Sequence, residues 1–461
     1  MWLERISKKS SFINRLLSLD QQVLIVRGAR QVGKTSFILN ILKELQEYPQ
    51  LKLNALYPSS FTINETEYLG RDFFGKSETG EEFLKNIELQ FGNLNHLEKC
   101  VIIFIDEVDR YPLIMEAIQT LAAFSHKLKC VFTGSNLENI TVKNAATGRK
   151  QYFDLYPITF QEFITTAADP KILRFYHEAS LKDSMWSTWA HTKLNELRDT
   201  YIRLGGMPKI LSLFLSSSNE INLIPDTIKD LAISIEENVK TILGDKLKLY
   251  EYEDILRTLA QLSLNTLKYS HLQVQHAGQK EAKKLIAKTV GARVAHKIRL
   301  WESDRDLSKY ILFDCGIVNY LLNGSQLLKN IIPSKNLAIQ YETFVGNELI
   351  AFLTTRDDIF YWKSENRAEV EFVMRSPYFI GIDVKIKSGD NKSLNSFAIF
   401  EQDASCIITI DSNPGKMNRN YTASLPNYHQ KRTLPWISIP HYLTGRLMEL
   451  VEEIITKGLP M

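Results

Sequence analysis

A chain of 461 residues with 44% hydrophobic and 24% charged content has the make-up of an ordinary globular protein and length for about three domains. Lysine and arginine (56) nearly balance aspartate and glutamate (53), for a net charge of +3, which excludes a uniformly basic nucleic-acid binder and leaves any such role to local clusters. Four cysteines, Cys100, Cys130, Cys315 and Cys406, stand far apart without a CxxC pair, which disfavours a zinc site or a disulfide framework and fits a reducing cytoplasm.

In chain order, apolar Trp2, Leu3, Ile6, Ile13, Leu16 and Leu17 are expected to pack a short helix onto the domain that follows. No run reaches the roughly 18 apolar residues of a membrane span. The stretch VLIVRGARQVGKTSFILN, Val23 to Asn40, predicts a buried strand, a glycine turn and a helix opening near Lys34. Gly28, Ala29, Arg30, Gln31, Val32, Gly33, Lys34, Thr35 and Ser36 fit GxxxxGKT and its first helical residue. Backbone N–H groups and a helix N-terminus there cradle the phosphates of ATP, Lys34 reaches the β/γ oxygens, and the Thr35 hydroxyl holds Mg²⁺.

Residues 41–98 are largely polar, with one further helix expected over Glu82–Leu97. Next, CVIIFIDEVDRYP predicts a strand buried on both faces, as parallel α/β sheets require. At its end Asp106 is placed to hold Mg²⁺ and Glu107 to deprotonate the attacking water. A helix over Leu113–Phe124 leads to a strand over Lys129–Phe132, whose tip carries Thr133, Gly134, Ser135 and Asn136. Ser135 is the tip residue assigned to nucleotide contact. Arg149 stands just before a strand over Gln151–Leu155. That is a position from which an oligomeric ATPase can reach a neighbour's nucleotide; a contact within the same subunit is the competing reading.

RGARQVGKTS, FIDEVDRYP, FTGSN, GRKQYFDLYPITFQEF and LGGMP, in this order, resemble a family of bacterial and archaeal AAA-type ATPases with a conserved C-terminal domain of unknown function. The resemblance is weakest over 45–98 and 215–245. It implies an α/β P-loop core with a parallel sheet over 1–165, a helical lid over 166–245, a winged-helix middle over 246–304, and a restriction-endonuclease-like module over 305–461.

Thr159 with Glu162 three positions on reads as a capping box, and Pro208 suits the first position of a helix after the Gly205–Gly206 break. In the family LGGMP sits in the lid near the nucleotide; its local chemistry shows a turn. Over 250–314 a winged-helix unit is expected, with a helix over Gln279–Val290 and a strand-like segment over Ala292–Trp301. Lys280, Lys283, Lys284, Lys288, Arg293, Lys297 and Arg299 face a single acid, Glu281, between 280 and 299. That clustering predicts contact with a nucleic-acid backbone, DNA being the expected partner, against the alternative of a solvated helix face.

In the last third, Gln340–Phe352 reads as a helix, Ile359–Trp362, Glu369–Met374 and Phe379–Lys387 as strands, and 411–434 as a loop. Glu371, Asp383 and Lys385 place two carboxylates at neighbouring strand tips with a lysine two residues on, a set able to hold Mg²⁺ against a phosphodiester and to activate water. Glu348 from the helix is expected to complete the ligands. The set resembles the PD-(D/E)xK nuclease pattern with glutamate and aspartate exchanged. Two functions stay open: an ATPase coupled to nucleic-acid engagement and cleavage, and a nucleotide-gated switch or scaffold whose C-terminal fold has lost its chemistry.

Overall fold

Strands form where the apolar runs lie, and helices cover them. The computed structural model describes residues 6–47, 56–58, 79–91, 93, 96, 100–108, 112–125, 128–135, 148–182, 186–216, 220–243, 249–267, 279–303, 307–324, 334–353, 358–365, 368–387, 389–426 and 428–455. Asn136 falls outside these residues. Helix α1 (Ile6–Leu17) precedes β1 (Val23–Arg27), α2 (Lys34–Glu47), β2 (Leu56–Pro58), α3 (Gly80–Phe91), β3 (Cys100–Ile105), α4 (Pro112–Ala123), β4 (Leu128–Gly134) and β5 (Lys150–Asp154). The five strands lie in the order β2-β3-β4-β1-β5, every neighbouring pair parallel.

Side chains alternate across a strand, so β1 splits its apolar residues between two faces. Leu24 and Val26 join Phe12, Leu16, Phe37 and Ile41 of α1 and α2. Val23 and Ile25 join Ile87 of α3 and Ile118 and Leu121 of α4. Both faces are thereby covered, and the phosphate loop emerges at the carboxyl ends of the strands, where open α/β sheets bind ligands.

The helical middle comprises α5 (Phe160–Ala167), α6 (Pro170–Glu178), α7 (Thr188–Leu204), α8 (Pro208–Ser216), α9 (Ile224–Leu243), α10 (Leu249–Gln261) and α11 (Gln279–Gly291). The capping box forms as expected: Thr159 accepts from the Glu162 N–H, and Glu162 accepts from the Thr159 N–H. The LGGMP turn proves to be a docking point. Gly205 has φ 77°, a Cβ there would lie 2.2 Å from Asp314 Oδ1, and the Gly206 N–H donates to Asp314 Oδ2 at 2.7 Å. Asp314 also caps the helix after it, accepting from Ile317 N at 2.9 Å.

Helix α11 runs into an antiparallel hairpin, β6 (Ala295–Leu300) and β7 (Ser308–Leu312). This hairpin crosses residue 305 and joins the second sheet, because β6 pairs in parallel with β8 through Arg299↔Phe360 and Leu300↔Tyr361. The remaining elements are α12 (Cys315–Asn323), α13 (Ser334–Phe352), β8 (Ile359–Lys363), β9 (Glu369–Met374), β10 (Ile380–Val384), α14 (Lys392–Phe400), β11 (Cys406–Asp411), β12 (Lys416–Ser424), β13 (Lys431–Pro440) and α15 (Leu447–Ile455). The second sheet runs β12-β13-β11-β10-β9-β8-β6-β7. Within it, β8/β9 and β9/β10 are antiparallel while β10/β11 is parallel.

One expectation fails here. Most of the segment read as a loop over 411–434 is an antiparallel hairpin, β12 with β13. Its first strand exposes alternate residues at the sheet edge, and polar or charged side chains are what an edge strand carries to resist further pairing. Among the described residues no helix is long and apolar enough to cross a membrane.

Candidate functional site

The loop between β1 and α2 is shaped by two left-handed residues, Gln31 (φ 66°) and Gly33 (φ 87°). Turns of that kind aim successive N–H groups into one concavity. Lys34 lies under the loop, its ammonium donating to the carbonyls of Gly28 and Ala29 at 3.0 and 2.9 Å and to Ser135 Oγ at 2.9 Å. Thr35 donates to Asp106 Oδ2 at 2.6 Å. Since β4 lies between β1 and β3, its tip can serve both. Ser135 meets Lys34, and Thr133 donates to Asp106 Oδ1 while accepting from Glu107 N at 3.2 Å. Glu107 has φ 45°, a strained backbone of the kind concentrated at functional sites. The hydroxyl of Thr35 against the carboxylate of Asp106 is a donor set suited to Mg²⁺. Gly28, Ala29, Arg30, Gln31, Val32 and Ser36 stand where the motif places them, and the Gln31 amide also reaches Ser234 of α9 at 3.3 Å.

In the C-terminal sheet Asp383 is fully buried and paired with Lys385, Nζ to Oδ2 2.8 Å. Burial, then the charge of Asp383 beside it, push the Glu371 carboxyl well above the ordinary carboxylate range. Burial works against the Lys385 charge, but its hydrogen bond to Asp383 outweighs this and raises its pKa. The carboxylate that α13 contributes to this cluster is Glu342, not Glu348. Glu342 is pushed up to about 7 by burial, with Lys309 lowering it and Asp383 raising it. Six residues on, a helix has turned well past that face, and Glu348 points elsewhere: its Oε1 accepts from Phe160 N at 2.8 Å at the start of α5. There burial pushes it up to about 8. Glu342 escaped the sequence reading because a helical acid shows its strand partners only after packing. Among the described residues no three acidic, histidine or cysteine side chains form a ready metal-binding group.

Two matches to known protein families bear on these sites. Residues 20–164 match an AAA domain and residues 339–428 match a domain of unknown function, DUF4143. The chain carries an AAA-type P-loop ATPase domain. No curated protein matches the chain. Solved structures with a distant likeness include the Aeropyrum pernix ORC1 protein in complex with DNA, 12% identical over 70% of this chain and 92% of that one at TM-score 0.32. The Saccharomyces cerevisiae Hsp104–ADP complex is 13% identical over 63% and 38% at 0.30, and Caenorhabditis elegans PCH-2 is 13% identical over 49% and 65% at 0.30. Likenesses this distant carry no residue or activity across.

Within the AAA domain Arg149 sits at the far end of the sheet from the phosphate loop. Its carbonyl accepts from Val23 N, at the amino end of β1, and its guanidinium donates to the Gln21 side chain and to Gln21 O. At about 3.3 Å per residue it cannot reach its own nucleotide. Of the basic cluster, Lys283 and Lys284 on α11 and Lys297 and Arg299 on β6 are exposed, and Lys288 is half-buried; the Lys280 side chain falls outside the described residues. Arg293 leaves the set. It is buried and ion-paired with Asp154 of the AAA domain, Nη2 to Oδ1 3.2 Å, so it is an internal contact rather than a phosphate ligand.

Proposed function

We propose that this chain is a Mg²⁺-dependent ATP hydrolase whose nucleotide state governs engagement of nucleic acid, DNA first, by α11, β6 and the C-terminal module. The observation that carries it is the convergence of Lys34, Thr35, Asp106 and Ser135 at the carboxyl ends of neighbouring parallel strands. Lys34 would bind the β/γ oxygens, and Thr35 and Asp106 would hold Mg²⁺, which would supply charge neutralisation at the phosphates. Glu107 takes the proton of the attacking water, its backbone fixed by Asp106 and Thr133. Arg149 acts on a neighbouring copy's nucleotide if the chain assembles.

For the middle, a helix followed by a hairpin, with exposed basic residues on both, supports the winged-helix reading. The order α13, β8, β9, β10, α14, β11 with its antiparallel and parallel pairings supports the nuclease-like reading. Glu371 and Asp383 would be the carboxylates offered to Mg²⁺ there, with Glu342 behind them and Lys385 positioning water.

The burial and pairing of those carboxylates favour a second reading for the C-terminal module: a fold without chemistry that serves contacts, in a nucleotide-gated switch. ATP hydrolysis by the purified chain with Mg²⁺, with and without DNA, scoring strand cleavage in the same tubes, separates the two. Stimulation by DNA and cleavage lost in D383A supports the first reading. Hydrolysis that ignores intact DNA overturns it in favour of the switch.

A further inference from the structure

The ATPase sheet and the basic helix–hairpin unit meet at one carboxylate. Arg27, the last residue of β1, holds Asp154 in a fork, Nε to Oδ1 and Nη2 to Oδ2 both 2.9 Å. Arg293, at the turn from α11 into β6, comes to the same Oδ1 at 3.2 Å, with its side chain 4% exposed and that of Asp154 21%. Two guanidinium groups therefore share one acceptor in a largely dry place, where charged contacts outweigh their worth in water.

Each arginine is also tied to a working part. Arg27 leads directly into Gly28, and its carbonyl accepts from Leu155 N at 2.7 Å. A Cβ on Gly28 would lie 2.3 Å from Leu155 O, so the phosphate loop begins pressed onto the strand end that carries Asp154. On the other side Arg293 has φ 63°, and the next residue, Val294, accepts from Phe313 N at 3.0 Å. Phe313 precedes Asp314, which holds the Gly206 N–H. A continuous path of short contacts thus runs from the phosphate loop to the basic turn and on to the lid.

We propose that Asp154 is the positioning residue through which phosphate occupancy of the loop and the placement of α11 and β6 are coupled. When the loop closes on phosphates Arg27 shifts its share of Asp154, and Arg293 takes up the difference. Lys283, Lys284, Lys297 and Arg299 flank that turn and move with it. The coupling is reciprocal, so a polyanion on this surface changes nucleotide affinity by the same factor. This inference rests on the ATP-binding reading above.

The test uses the full chain, calorimetry with ADP and a non-hydrolysable ATP analogue, and hydrogen exchange over residues 282–300. R27K keeps the charge and loses the fork; D154N removes the carboxylate and is checked by thermal melting; D154E retains it. In the wild-type chain the analogue and ADP should give different protection over 282–300. R27K and D154N should bind both nucleotides yet lose that difference, and D154E should keep it. A wild-type response preserved in R27K that melts normally overturns the proposal, as does nucleotide binding in the wild type with no change over these residues. Failure of the wild type to bind nucleotide would sink the ATP-binding reading and this inference with it, and calorimetry reports that case separately.

Discussion

Two carboxylate sites end strands of two sheets in this chain, and they are built in opposite ways. In the AAA domain Asp106 lies among hydroxyls, those of Thr35 and Thr133. In the C-terminal module Asp383 lies against a lysine and a second carboxyl, Lys385 and Glu371. Hydroxyl donors satisfy a carboxylate without neutralising it, so its charge remains for a divalent ion. Lys385 neutralises it, the Glu371 carboxyl beside it is pushed towards its protonated form, and a metal there must first displace a proton. The difference teaches that acids at strand tips are poised for metal by their neighbours rather than by their spacing.

The sharpest way to break the contrast is at the first site. E107Q is expected to lower the ATP turnover rate by about 10²–10⁴-fold with nucleotide affinity unchanged, read by steady-state hydrolysis and calorimetry; a loss below about tenfold would remove Glu107 as the base. The second site is sharpened by pH. Below about 7 Glu342 holds its proton, and burial with the charge of Asp383 pushes Glu371 upward as well, so Mn²⁺ affinity measured by calorimetry should climb from about pH 6 to about pH 8, up to about tenfold per unit for the proton that Glu342 gives up. D383N should abolish that binding while leaving ATP turnover intact. A flat pH profile would show that the pair is not proton-held.

T133A comes next. It removes one hydrogen bond to Asp106 and one from Glu107, and the turnover rate should fall about tenfold, the equivalent of about 1.4 kcal/mol. Glu348, the acid that stands apart from both sites, is read through stability instead of turnover. Its folded pKa of about 8 lies above the ordinary 4.5, so the folded state keeps a proton that the unfolded chain releases. Its stabilising contribution is complete below about 4.5 and is lost as pH rises towards about 8. E348Q can still accept from Phe160 N, and its urea midpoints should lack that decline across the same window. Equal slopes in both proteins would place the Glu348 proton elsewhere.

The phosphate loop and Asp106–Glu107 were legible because their chemistry is local: a fixed spacing between strand and helix dictates which backbone groups converge. Glu342 and the true partner of Arg293 were not, since each meets its charge partner only after distant elements pack. Arg293 read as one more surface cation because nothing in the local sequence marks the turn at 292–294 as buried against Asp154. The β12–β13 hairpin was missed for a related reason. Lys416, Asn418 and Asn420 face solvent along an edge, and composition suited to an edge strand resembles that of a loop.

The sharing of β6 between the basic hairpin and the C-terminal sheet has a mechanical consequence. Eight strands at about 4.8 Å spacing put β12 about 34 Å from β7, so the sheet is a lever whose short arm is the hairpin. A tilt of about 5° there would sweep the far edge through about 3 Å, roughly a hydrogen-bond length. Small adjustments around Asp154 would thus arrive at Lys416–Ser424 as displacements large enough to make or break a contact.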